Sequence, residues 1–292
     1  MDLRELRAFV AVADHGGVAR AASALYLAPS SVSHTITSLE ADLGVRLFHR
    51  LARGMVLTDV GEAMLGPARR ALKEVAATEA VAATVEGRVT GRVTVAPGRI
   101  FLSPVVDLVA RFHPVHPLVV TTLLEPGNNA VIAELVRTGE ADFGVLSTES
   151  VPRDLVASPL GVQTIALVVP AGHPLAGRAE VSYTDLDHVE VITSPAGTPF
   201  RLMFDDRCRA TDCVPNVVAE TDHLQTMLEL VALGVGATVG TIESASLLGD
   251  RAIAIPMAPS DARPMSLVTR DEVRTPAAEA FWQFVQRHDL GG

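Results

Sequence analysis

The chain has 292 residues, of which 48% are hydrophobic and 20% charged, with a formal net charge of −10. That length allows about two or three domains with packed cores; no run of about 18 apolar residues occurs and the N-terminus reads as a charged amphipathic helix, so the expectation is a cytoplasmic protein with neither membrane span nor signal peptide. The acidity is uneven: residues 1–90 hold ten Lys/Arg against ten Asp/Glu, so the whole excess of negative charge falls on the remainder and does not exclude a polyanionic partner for the N-terminal part.

Gly17 to Glu40, GVARAASALYLAPSSVSHTITSLE, carries two short apolar-striped helices joined by a tight break, the layout of a helix-turn-helix. Ala21, Ala22 and Leu25 face inward from the first helix, and Val32, Ile36, Leu39 and Leu43 recur at helical spacing in the second. At about 100 degrees per residue the opposite face of the second helix collects Ser30, Ser31, His34, Thr37 and Ser38, small or hydrogen-bonding and none acidic, as phosphate and base edges require. Pro29 suits the first helical position, and the open N–H groups of that turn point toward phosphate. The alternative is an ordinary amphipathic helix with a solvated Ser/Thr face.

Leu43 to Leu65 follows with two short extended runs bracketing Arg50, Arg53 and Gly54, then a helix start at Thr58 or Asp59. This reads as a β-wing. Arg46, His49, Arg50 and Arg53 form a basic cluster with no intervening acid, the charge that a backbone-contacting wing needs.

These residues resemble the LysR-type transcriptional regulators, and the resemblance runs over essentially the whole length. It is carried by the opening LRELRAFVAVADHGG, the RAASAL helix, SVSHTITSLEADLG, and Leu47, Phe48, Arg50, Arg53, Leu57, Thr58 and Gly61. The family usually has a Ser-Gln pair where this chain has Ala28 and Pro29, and Ser then Thr where it has Gly17 and Ala19. Without that glutamine, base reading shifts toward Ser30, Ser31, Ser33 and His34, within a DNA-binding set of Ala28, Pro29, Ser30, Ser31, Ser33, His34, Thr37, Ser38, Arg50 and Arg53. The resemblance implies an α/β multidomain fold: a winged helix-turn-helix over 1–58, a dimerising linker helix over 59–88, and a two-lobed effector domain of periplasmic-binding-protein type over 89–292. Lobe I is expected at about 89–161 and 264–292, and lobe II at about 162–263. It also implies promoter DNA, a small-molecule effector and RNA polymerase as partners, and dimers that assemble into tetramers.

The linker reading has its own support in sequence, because residues 59 to about 88 lack proline except Pro67 and are rich in Ala, Leu, Val and Glu. Leu65, Ala68, Leu72, Val75 and Ala82 follow an a/d spacing, with Glu79 the polar break. A helix packed only on its own chain is the alternative.

From Arg92 short apolar strands alternate with helices: RVTVA, a helix from about Phe101, LVVTTLL, a helix from Asn129, and ADFGVL. A second set begins at Val162 with QTIALVV, then VEVITS, a helix from Pro199, NVVAE, a helix from Asp222, GATVG and AIAI; MSLVTR and a helix from Pro276 to His288 close the chain. Repeated βαβ units predict a largely parallel sheet. The cleft between two lobes is lined where strands end and helices begin, since helix starts present unpaired N–H groups. Candidates are Gly98, Arg99, Ile100, Gly127, Asn128, Asn129, Ser147, Thr148, Ser194, Gly197, Thr198, Phe200 and Thr221, each of which could instead be a turn or cap. Arg99 stands out because it could take a carboxylate bidentately, although the loop after the first strand is shorter than usual in the family and lacks its common Ser or Thr.

Cys208 and Cys213 sit five apart, a spacing that predicts different helix faces and no special reactivity, although some members of the family sense oxidants through cysteines in this lobe. The nine histidines show no His-x-x-x-His or Cys-x-x-Cys spacing, so no metal and no cofactor other than the effector is expected. Two rival classes remain. An enzyme finds no local Ser/His/Asp set, and GVGATVG at Gly234 to Gly240 lacks the strand-then-helix context of a dinucleotide loop, so no catalytic residue is expected. A solute scavenger is disfavoured by the N-terminal module.

Overall fold

The computed structural model describes residues 1–51, 54–82, 89–126, 128–246, 248–258, 262–272 and 274–287, with all their side chains except those at 77 and 79–82. Asp2 starts α1 (Leu3–His15): its carboxylate accepts from the N–H groups of Arg4 and Glu5, and Glu5 reaches back to the Asp2 N–H, which satisfies donors that a helix start leaves open. After Gly16 in the left-handed region, α2 (Val18–Leu25) and α3 (Pro29–Leu43) follow. Phe9, Val12, Ala21, Ala22, Val32, Ile36 and Leu39 pack into one core with Leu47 and Phe48. Leu43, expected to complete the α3 stripe, is instead 38% exposed, because α3 ends at Gly44 and its last turn runs past that core.

The wing is the antiparallel hairpin β1 (Phe48–Leu51) and β2 (Gly54–Leu57), with Arg50 opposite Met55. Gly54 has φ +111°, and a Cβ there would stand 2.5 Å from the Gly16 carbonyl oxygen, which accepts from Met55 N at 3.1 Å. Only glycine lets the wing lie that close to the end of α1. Thr58 then starts α4 (Asp59–Ala82): its hydroxyl donates to Arg46 O and accepts from Gly61 N, and a Cβ at Gly61 would collide with Leu47 O.

The sheets that follow are mixed, not largely parallel. Strand β3 (Gly91–Pro97) pairs in parallel with β4 (Val119–Leu123) and β5 (Phe143–Ser147), with α5 (Leu102–Phe112) and α6 (Asn129–Thr138) as crossovers. Strand β6 (Val156–Pro170) begins six residues before the expected Val162 and serves both halves. Its first part pairs antiparallel with β11 (Ala262–Thr269), which pairs antiparallel with β5; from Ile165 on it pairs antiparallel with β9 (Thr238–Thr241) and, from Ala166, with β10 (Ala252–Pro256). Strand direction is set by where the chain re-enters a sheet, and two such re-entries produce the antiparallel part. Beside them β7 (Glu190–Thr193) and β8 (Asn216–Glu220) are parallel.

The remaining helices are α7 (Pro199–Ala210), α8 (Leu224–Ala232), two residues later than the expected Asp222, the short α9 (Ile242–Ser246), which the sequence reading missed, and α10 (Pro276–Arg287). His288, expected in α10, lies outside the described residues. Two cores result. One gathers Val93, Val95, Phe101, Leu108, Phe112, Phe143 and Phe281; the other gathers Ile165, Leu167, Val181, Val191, Phe204 and Ile255. Ile100 packs against both.

Candidate DNA interface and effector cleft

On α3 the apolar stripe from Val32 to Leu39 is wholly buried, while Ala28, Pro29, Ser30, Ser31, His34 and Thr37 are exposed and Ser33 and Ser38 half-buried. No other part of the described chain covers that polar face. The Thr37 hydroxyl donates to Ser33 O at 2.9 Å, so toward a partner it has lone pairs and a methyl to offer but not its proton. At the turn before α3, Tyr26 adopts φ +55° and is 95% exposed, an aromatic ring beside the helix start that sequence reasoning passed over.

The wing presents Arg50 and His49 outward, while Arg53 lies outside the described residues. The run from Arg46 to Arg53 holds no acid, but Arg46 pairs with one outside it, its Nη1 3.3 Å from Glu40 Oε2. Glu40, at 8% exposure, also accepts from Leu47 N at 2.8 Å and Phe48 N at 3.2 Å through Oε1. A buried carboxylate thus satisfies the N–H groups where the chain turns into the wing.

In the linker helix α4, Ala68 and the half-buried Leu65 and Leu72 pack onto the winged module of their own chain. Val75 is half-buried, and the side chains of Glu79 and Ala82 fall outside the description. Its basic face grips the sheet that holds β3 to β5. Arg69 pairs with Asp14 of α1 and, at 2.7 Å, with Glu140; Arg70 lies 3.7 Å from Glu272; Lys73 Nζ lies 2.5 Å from Asp142 Oδ1 and donates to Gly139 O. Asp142 is 6% exposed and its other oxygen accepts from Thr94 N, so one carboxylate ties linker and sheet.

Among the effector candidates, some act as local structure. Gly98 is buried and donates to Val145 O, Asn128 caps α6 through Val131 N, Thr198 caps α7, and Thr221 donates to Thr193 O while its hydroxyl accepts from His223 N. Asn129 is exposed, and Gly127 lies outside the described residues. Ser147 has a buried hydroxyl with no hydrogen-bond partner, and Thr148 pairs with Ser266 at 2.8 Å.

Three candidates converge across the cleft. Arg99, in the turn after β3, donates from Nη1 to Ser194 Oγ at 3.0 Å and places its Cζ 3.9 Å from the centroid of Phe200, while Met227 Sδ lies 3.9 Å from Nη1. Burial lowers the Arg99 guanidinium to about 10, and the charge of Asp222 works against that shift. Met227 and Asp222 were missed in the sequence, since nothing local points either toward Arg99. A hollow of about 550 Å³ opens elsewhere, lined by Thr148, Gly161, Val162, Met265 and Gln286 among others; it holds no ionic side chain to orient a charged ligand.

Cys208 and Cys213 correct another expectation. Rather than facing apart, both are buried in one core, Cys213 N donates to Cys208 O at 2.9 Å, and burial pushes the Cys208 thiol up to about 12. Such a thiol is almost wholly protonated at neutral pH. Among the described residues no group of three or more His, Cys, Asp or Glu is placed to hold a metal ion, and no helix is long and apolar enough to cross a membrane.

Comparison with known proteins decides the family. The model for bacterial regulatory helix-turn-helix proteins of the lysR family matches residues 3–62, and the model for the LysR substrate binding domain matches residues 86–289. The chain belongs to the LysR-type transcriptional regulators. It therefore combines helix-turn-helix DNA binding with a substrate-binding effector domain, and it is 31% identical to the HTH-type transcriptional regulator CbbR of Sinorhizobium medicae (strain WSM419), over 98% of this chain and 92% of that protein. The transcriptional dual regulator GltC of Bacillus subtilis (strain 168) is 29% identical over 82% of this chain and 80% of its own. Among solved structures, a full-length cysteine-to-aspartate variant of OxyR from Pseudomonas aeruginosa aligns with TM-score 0.72 at 22% identity, covering 100% of this chain and 96% of that one. CbnR, a LysR family regulator, aligns with TM-score 0.68 at 22% identity, over 98% and 99% of the two chains. Full-length CbnR complexed with its target DNA aligns with TM-score 0.56 at 23% identity, again over 98% and 99%. The likeness to these LysR-type structures is one of fold and spans nearly the whole chain.

Proposed function

We propose that this regulator reads promoter DNA with Ser30, Ser31, Ser33 and His34 of α3 in the major groove, supported by Ala28, Pro29, Thr37 and Ser38, and holds the phosphate backbone with Arg50 and Arg53 of the wing. The observation that carries the reading is the exposed polar face of α3 opposite a stripe buried in its own module. The working division is 1–58 for DNA binding, 59–88 for the dimerising linker and 89–292 for the effector domain. Lobe I spans 89–161 and 264–292, and lobe II spans 162–263. Two chains, as a dimer and further as a tetramer, set two modules on half-sites of an interrupted palindrome. An effector in the cleft, around Arg99, Ile100, Ser194 and Phe200 with Gly98, Asn128, Asn129, Ser147, Thr148, Thr198 and Thr221 at its rim, biases the lobes and so the spacing of the modules, which requires unequal affinity for two states. The protein works in the cytoplasm, alongside RNA polymerase, without catalysis, and its homologues are transcriptional regulators rather than enzymes.

The test is fluorescence anisotropy on promoter fragments over a salt series. Arg50→Ala should weaken binding to every sequence and reduce the slope of log K against log salt by about 1. His34→Ala should change the ratio between sequences, by about 1–3 kcal/mol at the base pair read. Identical, sequence-blind losses in both variants would refute this division of roles.

A further inference from the structure

We propose that the cross-lobe group of Arg99, Ser194 and Phe200 seats an anionic effector, a small carboxylate or phosphate that pairs with the Arg99 guanidinium. This rests on the reading of the cleft as the effector site, and gives that site its ligand chemistry.

Arg99 carries a charge that no neighbouring carboxylate matches. Among the described residues every ion pair of the cleft region belongs to another arginine: Arg201 takes Asp205 and Glu220, while Arg99 has no carboxylate within ion-pair distance. Its protein contacts are a neutral hydroxyl, a thioether and an aromatic face. An enclosed cation is ordinarily paired, because the protein does not replace the water it loses. Asp222 acts on it only through space, and Asp222 itself is exposed.

The donor arithmetic is equally specific. A guanidinium has five N–H groups in a planar fork, and among the described residues only Nη1 has protein acceptors, which leaves the Nε–H and Nη2–H edge open for two parallel bonds to a carboxylate or phosphate. Phe200 covers one face of the plane at 3.9 Å, so an incoming anion is steered to the edge. Since Arg99 follows β3 and Ser194 follows β7, an anion on the open edge leaves the bridge between lobes in place and adds to it. Ligand binding and lobe closure then favour each other.

The experiment is thermal unfolding of the full-length protein titrated with sodium benzoate, inorganic phosphate or neutral benzamide at fixed ionic strength. Benzoate or phosphate should raise the melting temperature in a dose-dependent way and benzamide should not, and the stronger of the two anions names the headgroup. Arg99→Gln should require at least tenfold more anion for the same shift, about 1.4 kcal/mol. If Arg99→Gln does not fold, Arg99→Lys, which keeps the charge and loses the fork, should show a weakened but measurable shift. Equal shifts with benzoate and benzamide, unchanged anion response in the Arg99 variants, or no shift with either anion would overturn the proposal. Salt-dependent promoter binding by the unliganded wild type, measured in parallel, reports on the DNA-binding reading separately.

Discussion

Glu40 holds the turn into the wing with a single side chain. Its carboxylate receives two backbone N–H groups and an arginine, at a point where Leu47 and Phe48 are buried. Replacing it by alanine leaves both N–H groups without an acceptor, at about 1–3 kcal/mol for unsatisfied buried donors. We expect Glu40→Ala to lower the melting temperature of the N-terminal module and weaken promoter binding, with Glu40→Gln between it and wild type. A Glu40→Ala protein that melts like the wild type would remove this role. The residue was hidden in the sequence because the side chain lies on a helix whose acceptor duty is created only when the chain folds back seven residues later. Arg99 was legible in part: its chemistry singled it out, but the thioether of Met227 and the charge of Asp222 reach it from more than a hundred residues away.

At the scale of elements, most helices and strands followed from periodicity and turn residues, as at Pro29 and Pro199, each at a helix start, while the short α9 did not. Sheet direction did not, because β6 and β11 carry the same apolar pattern whichever way they run. The linker shows the same limit. Its a/d spacing is real, and Leu65, Ala68 and Leu72 pack onto the module of its own chain. What its spacing could not indicate is the basic face that grips Glu140, Asp142 and Glu272. Lys73→Met should destabilise the protein by about 1–3 kcal/mol, less than a fully buried pair because Lys73 keeps 23% of its side chain exposed. Combining it with Asp142→Asn should recover part of that loss, giving a coupling energy of about 1 kcal/mol in a double-mutant cycle. Strictly additive losses would show that the contact transmits nothing.

For the whole molecule, the two larger cores of the effector domain are separate clusters, yet Ile100 packs against both, and the single strand β6 supplies Leu160 to one and Ile165, Leu167 and Val169 to the other. Calorimetry of the full-length protein should therefore resolve one transition for both lobes, since neither core survives the loss of a strand common to both. Two transitions assignable to the separate lobes would contradict this. The winged module, tied in by Arg69 and Lys73, is expected to melt on its own only when those contacts are removed.

Gly161 sits in that strand with φ +133°, close to the irregular register opposite Met265 and Ser266. A beam clamped at both ends yields by twisting at its softest section. Any swing of one half against the other would thus be taken up as torsion over a few residues, an angle more than a distance travelled.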